Sequence, residues 1–124
     1  MVHKSHEQSS EDYLKAMFIL QEKGAPIRPV DLSVQIGYTK PSISRAISVL
    51  CREQLLYKDK EGYIHLTTAG FEAAGNVYAR HQFFKEMLLD AGVDSDLAEL
   101  EACQMEHAVC EDTFKKLRKH TKKK

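Results

Sequence analysis

The stretch EACQMEH, residues 101–107, concentrates three kinds of ligand chemistry. On a helix, Cys103, Glu106 and His107 stand at i, i+3 and i+4 and share one face. A thiolate, a carboxylate and an imidazole together suit a divalent transition metal, which needs at least one further donor from another element. His81 in YARH and Asp12 in SSEDYL are the candidates. Each residue also has a plainer reading. A single helical cysteine is usually a small buried hydrophobe, and a histidine in an aromatic-rich helix is usually a hydrogen-bonded core residue. A glutamate beside a histidine on an acidic helix is usually solvated.

The elements that must position these residues can be read from start and stop signals. SSEDYLKAMFILQEKG is a helix with Ser9 or Ser10 as cap, Gly24 as stop, and Tyr13, Leu14, Met17, Phe18 and Leu20 as its apolar face. Pro29 opens a short helix that Gly37 ends. Thr39 caps the next, whose buried stripe is Ile43, Ala46, Ile47 and Leu50. Two β-prone runs, LLYK and YIHLT, flank DKEG and form a hairpin. A long helix follows from TTAGFEAAG through HQFFKEMLLD, then a helix capped by Ser95 and carrying EACQMEH, then CEDTFKKLRKH.

Helix, short helix, helix and hairpin make a winged helix-turn-helix. The fold class is mainly α: this winged unit over 1–70, then a helical domain with a basic tail over 71–124. The third helix has small, polar and basic residues near its start, as major-groove reading requires. Thr39, Lys40, Ser42, Ser44 and Arg45 are candidate contacts there, with Thr39 also acting as cap. Lys58 and Lys60 on the hairpin can reach phosphate.

The net charge of zero hides a segregation. Residues 23–60 hold seven Lys and Arg against three Asp and Glu; residues 86–112 hold nine acidic residues and no Lys or Arg; residues 113–124 hold seven basic ones. At 124 residues and 43% hydrophobic, the chain is globular rather than disordered. Three cysteines form no disulfide framework, no apolar run spans a bilayer, and the polar start MVHKSHEQSSED lacks a signal-peptide core. These point to a cytoplasmic protein with no membrane partner. There is no phosphate loop, no HExxH and no nucleophile motif, so an enzyme is not expected.

Taken together, EDYLKAMFIL, VDLSVQIGYTKPSISRAISVLCREQLL, GYIHLTTAG, ARHQFF and EACQMEH resemble the diphtheria toxin repressor and manganese transport regulator family of metal-dependent transcriptional repressors, over roughly residues 9–118. The resemblance implies a winged helix-turn-helix DNA-binding domain over 1–70 and a helical dimerisation and metal-binding domain over 71–124, and so a homodimer on a double-stranded DNA operator, in a short form without the SH3-like domain. It implies a principal metal site of Asp12, Cys103, Glu106 and His107, with His81 and Glu99 at positions of an ancillary site. Lys15 stands where manganese-type members place a carboxylate, and Lys85 where iron-type members have an ancillary one; a charged lysine cannot ligate. Cys103 favours Fe(II), while Asp12 matches the manganese type, which gives the order Fe(II), Mn(II), Zn(II). The rival readings are a metal-independent winged-helix regulator, a small metalloenzyme, and a redox sensor built on Cys103 and Cys110.

Overall fold

The computed structural model describes residues 6–122. Residues 1–5 and 123–124 lie outside the described residues, and with them part of the polar start and the end of the lysine tail. The chain divides into two compact units, one up to Asn76 and one from Val77.

In the first unit, α1 (His6–Glu22), α2 (Pro29–Ile36) and α3 (Lys40–Arg52) precede a hairpin of β1 (Leu56–Lys58) and β2 (Ile64–Leu66), and then the start of α4 (Thr68–Asp90). α1 begins upstream of the expected caps, so Ser9 and Ser10 lie inside the helix instead of at its end. Pro29 fills the first turn of α2, where its missing N–H is no loss. The Arg28 N–H donates to Asp31 Oδ2 at 2.8 Å, satisfying one of that helix end's exposed donors. Gly37 takes a left-handed φ of 85° and closes α2 through its N–H to the Ser33 carbonyl. Thr39 then caps α3 by accepting from the Ser42 N–H at 3.4 Å. This one tight turn over residues 37–39 joins α2 and α3 as the helix-turn-helix pair.

The core of this unit takes Tyr13, Leu14, Ala16 and Met17 from α1, Leu32 from α2, Ile43, Ile47 and Leu50 from α3, and Leu56 and Ile64 from the hairpin. Met17 and Leu32 have no exposed surface, and burying each such side chain is worth about 1.5–3 kcal/mol. Tyr13 meets Tyr38 edge to face at 5.6 Å, and Phe18 meets Phe71 at 5.3 Å. Ile64 also bridges Ile27, so the loop before α2 is stitched to the hairpin.

The second unit holds the rest of α4, α5 (Ser95–Met105) and α6 (Glu111–Lys122). Asp94, not Ser95, caps α5, accepting from the Asp96 N–H at 3.2 Å. Phe83, Phe84 and Phe114 form an aromatic cluster, with Phe83 edge-on to Phe84 at 5.3 Å and to Phe114 at 5.5 Å. Val77, Ala98 and Ala102 are buried with it. Among the described residues, no helix is long and apolar enough to cross a membrane.

One close approach fixes how α4 starts. A Cβ placed on Gly70 would stand 1.9 Å from the Leu55 carbonyl oxygen, so only glycine fits. Gly70→Ala is expected to lose at least about 1–3 kcal/mol, the cost of overpacking a rigid backbone contact, read as a lowered urea midpoint. An unchanged midpoint would show that Leu55 and α4 separate freely.

Candidate functional site

The residues expected to meet DNA lie on two elements of the first unit. Lys40, Ser42, Ser44 and Arg45 are exposed on the opening turns of α3. Thr39 is exposed but committed: its hydroxyl donates to Ser42 Oγ at 3.0 Å and accepts from the Ser42 N–H. A groove of about 360 Å³ is lined by Pro29, Val30, Lys40, Ser44, Ser48 and Lys58, so α3 and β1 each present a lysine to the same concavity. Lys60 is exposed on the hairpin turn.

The hairpin is held by residues that sequence reading did not single out. Asp59 Oδ1 accepts from the backbone N–H of Glu61 at 3.0 Å and of Tyr63 at 2.9 Å, and Oδ2 lies 2.8 Å from His65 Nε2. His65 pairs across the strands with Tyr57, their rings stacked at 4.8 Å. Arg28 donates to the Tyr63 hydroxyl at 3.2 Å and lies over that ring. The period-2 placing of Tyr57 and His65 was the available signal; the reach of Asp59 over six residues carried none.

The metal-type residues gather in the second unit. α5 stops at Met105, with Glu106 as its cap residue and His107 in the turn beyond, so Cys103, Glu106 and His107 do not share one continuous helix face as expected. Glu106 nonetheless keeps helical backbone angles and points back beside Cys103 and His81. His81 Nδ1 lies 3.1 Å from Glu106 Oε2 and 3.7 Å from Cys103 Sγ. His107 Nε2 lies 3.4 Å from Glu106 Oε1. The other edge of His81, Nε2, contacts Glu99, whose second oxygen is 3.8 Å from Lys85 Nζ. Asp12 belongs to the first unit, half-buried on α1, where the Tyr38 hydroxyl donates to it at 3.4 Å.

These donors fit a transition metal. Bonds of about 2.0–2.3 Å at tetrahedral angles put ligand atoms roughly 3–4 Å apart, which matches the separations around His81 Nδ1. One ligand atom from each of His81, Cys103 and Glu106 lies within 4.8 Å of the others. The Glu106 carboxylate has no exposed surface, and a buried charge is stable only against opposite charge and hydrogen bonds. The three cysteines form no disulfide with one another: Cys51 is half-buried, Cys103 lies in this cluster and Cys110 is exposed. Hydrogen bonds from the side chain and backbone of Thr113 hold the Cys110 thiol below its ordinary pKa.

Residues 67–123 match the model of a family described as iron dependent repressor, metal binding and dimerisation domain. The chain is 30% identical over 115 residues to an uncharacterized HTH-type transcriptional regulator of Methanocaldococcus jannaschii, covering 90% of each. The chain belongs to the iron-dependent repressor family. Within that family it is 28% identical over 110 residues to the iron-dependent repressor IdeR of Mycobacterium leprae, covering 88% of this chain and 48% of IdeR. Its fold aligns with the structure of the manganese regulator SloR at a TM-score of 0.81 and 27% identity, covering 91% of this chain and 53% of that one. The chain thus spans about half the length of IdeR and SloR and nine-tenths of the archaeal relative. As in this family generally, a winged helix-turn-helix is followed by a helical domain.

The hairpin carries a pH dependence. The hydrogen bond with His65, joined by the Tyr63 and Glu61 N–H groups, holds the Asp59 carboxyl below its usual value. A depressed folded pKa stabilises above the ordinary aspartate range, and that contribution is lost as pH falls through the depressed value. NMR contacts between Tyr57 and His65 are expected to fade in that acid window, and at neutral pH in Asp59→Ala. Contacts that persist in both would place the hairpin's order elsewhere.

Proposed function

We propose that this family member is a metal-dependent repressor that binds a palindromic DNA operator as a homodimer, with Fe(II) as co-repressor ahead of Mn(II) and Zn(II). The observation that carries the reading is the cluster of His81, Cys103 and Glu106 inside the unit that matches a metal-binding and dimerisation domain. Asp12, Cys103, Glu106 and His107 are the proposed principal ligands. The names of relatives include both iron and manganese, and the preference for iron rests on the softness of the Cys103 thiolate.

When bound, a divalent cation supplies positive charge and coordinate bonds. The Glu106 carboxylate is shut away from water, and a bound cation would offset the cost of burying it, with Cys103 adding a soft sulfur donor. Asp12, as a ligand from α1, links that relief to the DNA-binding unit, so that less conformational freedom remains to be lost on the operator. Two copies then present α3 to half-sites roughly 34 Å apart, or a near multiple. Lys40, Ser42, Ser44 and Arg45 meet the groove and its rim; Thr39 sets the start of the helix; Lys58 and Lys60 meet phosphate. Leu97 and Leu100, exposed on α5, and Met87 on α4 are the apolar surface available for the second copy.

The reading is tested by sequencing genomic fragments retained by stripped protein under anaerobic conditions, with chelator, Fe(II), Mn(II) or Zn(II). Enrichment of one palindrome with Fe(II) and none with chelator is expected; equal enrichment with chelator makes the metal incidental. His107→Ala is expected to keep fold and dimer but lose metal-dependent operator binding, and unchanged affinity removes His107 from the mechanism. Arg45→Ala is expected to weaken operator binding by about 1–3 kcal/mol if it reads a base, and less if it meets phosphate.

A further inference from the structure

We infer that Glu99, anchored by Lys85, is a positioning carboxylate for the metal centre, holding His81 by one edge so that the other faces Cys103 and Glu106. The inference rests on the metal reading above. It assigns Glu99 a role different from ligation of a second, ancillary ion.

The placement follows from two helical registers. On α4, His81 and Lys85 stand at i and i+4 on one face. On α5 and its cap, Glu99, Cys103 and Glu106 stand at i, i+4 and i+7. The two rows meet as a ladder: Lys85 with Glu99, Glu99 with His81 Nε2, His81 Nδ1 with Glu106 and Cys103. A carboxylate accepts and cannot donate, so the imidazole nitrogen that faces Glu99 carries the hydrogen. Nδ1 meets the thiol and the buried carboxylate of Glu106, and it is the edge that would give its lone pair to a metal held by those two groups, while Nε2 keeps its hydrogen bond to Glu99.

Exposure separates the two carboxylates. Glu99 is half exposed, at 50%, whereas Glu106 is at 0%. Glu99 thus stands at the rim of the cluster as an acceptor for His81 Nε2, while Glu106 lies inside it, shut away from water. The second oxygen of Glu99 already faces an ammonium. That ammonium has no lone pair to give a metal, and it places a positive charge beside the only other imidazole edge. The arrangement is the outer carboxylate that orients a metal-bound histidine and raises its basicity, with a lysine keeping that carboxylate in place. No ion is then held on the Nε2 edge of His81.

The test is an anaerobic cobalt(II) titration of the whole protein, read by absorption. Wild type is expected to take up one cobalt per chain with a thiolate-to-cobalt band. Glu99→Ala should keep that stoichiometry and band but bind about 10–100-fold more weakly. Glu99→Gln should recover much of the loss, because its amide oxygen still accepts from Nε2–H. In the zinc-loaded protein, nitrogen NMR should find His81 protonated on Nε2. Two cobalt ions in wild type and one in Glu99→Ala would make Glu99 a ligand and overturn the inference, as would equal affinities or a proton on Nδ1. If both Glu99 variants lose helicity alike by circular dichroism, the role is structural and the inference fails. Wild type that binds no cobalt overturns the metal reading itself, and this inference with it.

Discussion

A carboxylate with no access to water governs the second unit. Glu106 sits at the end of α5 with His81 on one side and His107 on the other. Water solvates a free carboxylate so well that its burial costs several kcal/mol unless positive charge and hydrogen bonds replace the lost solvent. That demand is consistent with the two imidazoles that converge here. Met105 is the last helical residue, so the cap residue can fold its side chain inward while its N–H still reaches the Ala102 carbonyl. The phenyl rings of Phe83, Phe84 and Phe114 supply the apolar packing that fixes α4 beside α6 within this unit. Polar and apolar layers thus meet at one end of this unit, where a buried carboxylate, two imidazoles and a thiol gather.

The first unit is organised by different physics. Its interior is aliphatic and aromatic, and its polar work is done by end groups: Asp31 at the start of α2, Gly37 at its close, Thr39 at the start of α3. Local bonds of this kind define the angle between two helices without a large core. The hairpin follows the same rule. Its strands are three residues each, too short to stand alone. Asp59 compensates by tying backbone and His65 together, and Ile27 and Ile64 attach the hairpin to the loop before α2.

Much of this was legible in the sequence, and the parts that were not share a cause. Pro29, Gly37 and Thr39 announce helix ends by covalent geometry or by a side chain that competes for the backbone, so α2 and α3 were readable almost to the residue. The starts of α1 and α5 were less so. Ser9 and Ser10 have the chemistry of caps but lie within a longer helix, and beside Ser95 there is an aspartate that caps as well. The end of α5 has no glycine or proline to announce it. The same limit applies to the cluster. Spacing put Cys103, Glu106 and His107 together, but only the packing of α4 on α5 brings His81 to Cys103 and Glu106, twenty-two residues from the thiol. Lys85 read as a break in a ligand pattern; beside Glu99 it is a partner.

The three thiols occupy three different surroundings, and this gives the protein a chemical gauge of its own state. Cys51 packs against the core of the first unit, Cys103 lies among the ligand groups, and Cys110 is exposed before α6 with its thiol shifted toward thiolate. Alkylating reagents consume thiolates in order of accessibility and ionisation. Cys110 therefore serves as an internal reference that reacts early, and the half-buried Cys51 as a slower one. Under the proposed function, Cys103 alone would have its sulfur lone pairs engaged by a bound metal. The ratio of label at Cys103 to label at Cys110, read by mass spectrometry on protein taken straight from cells, would then report the occupied fraction without purification or added metal.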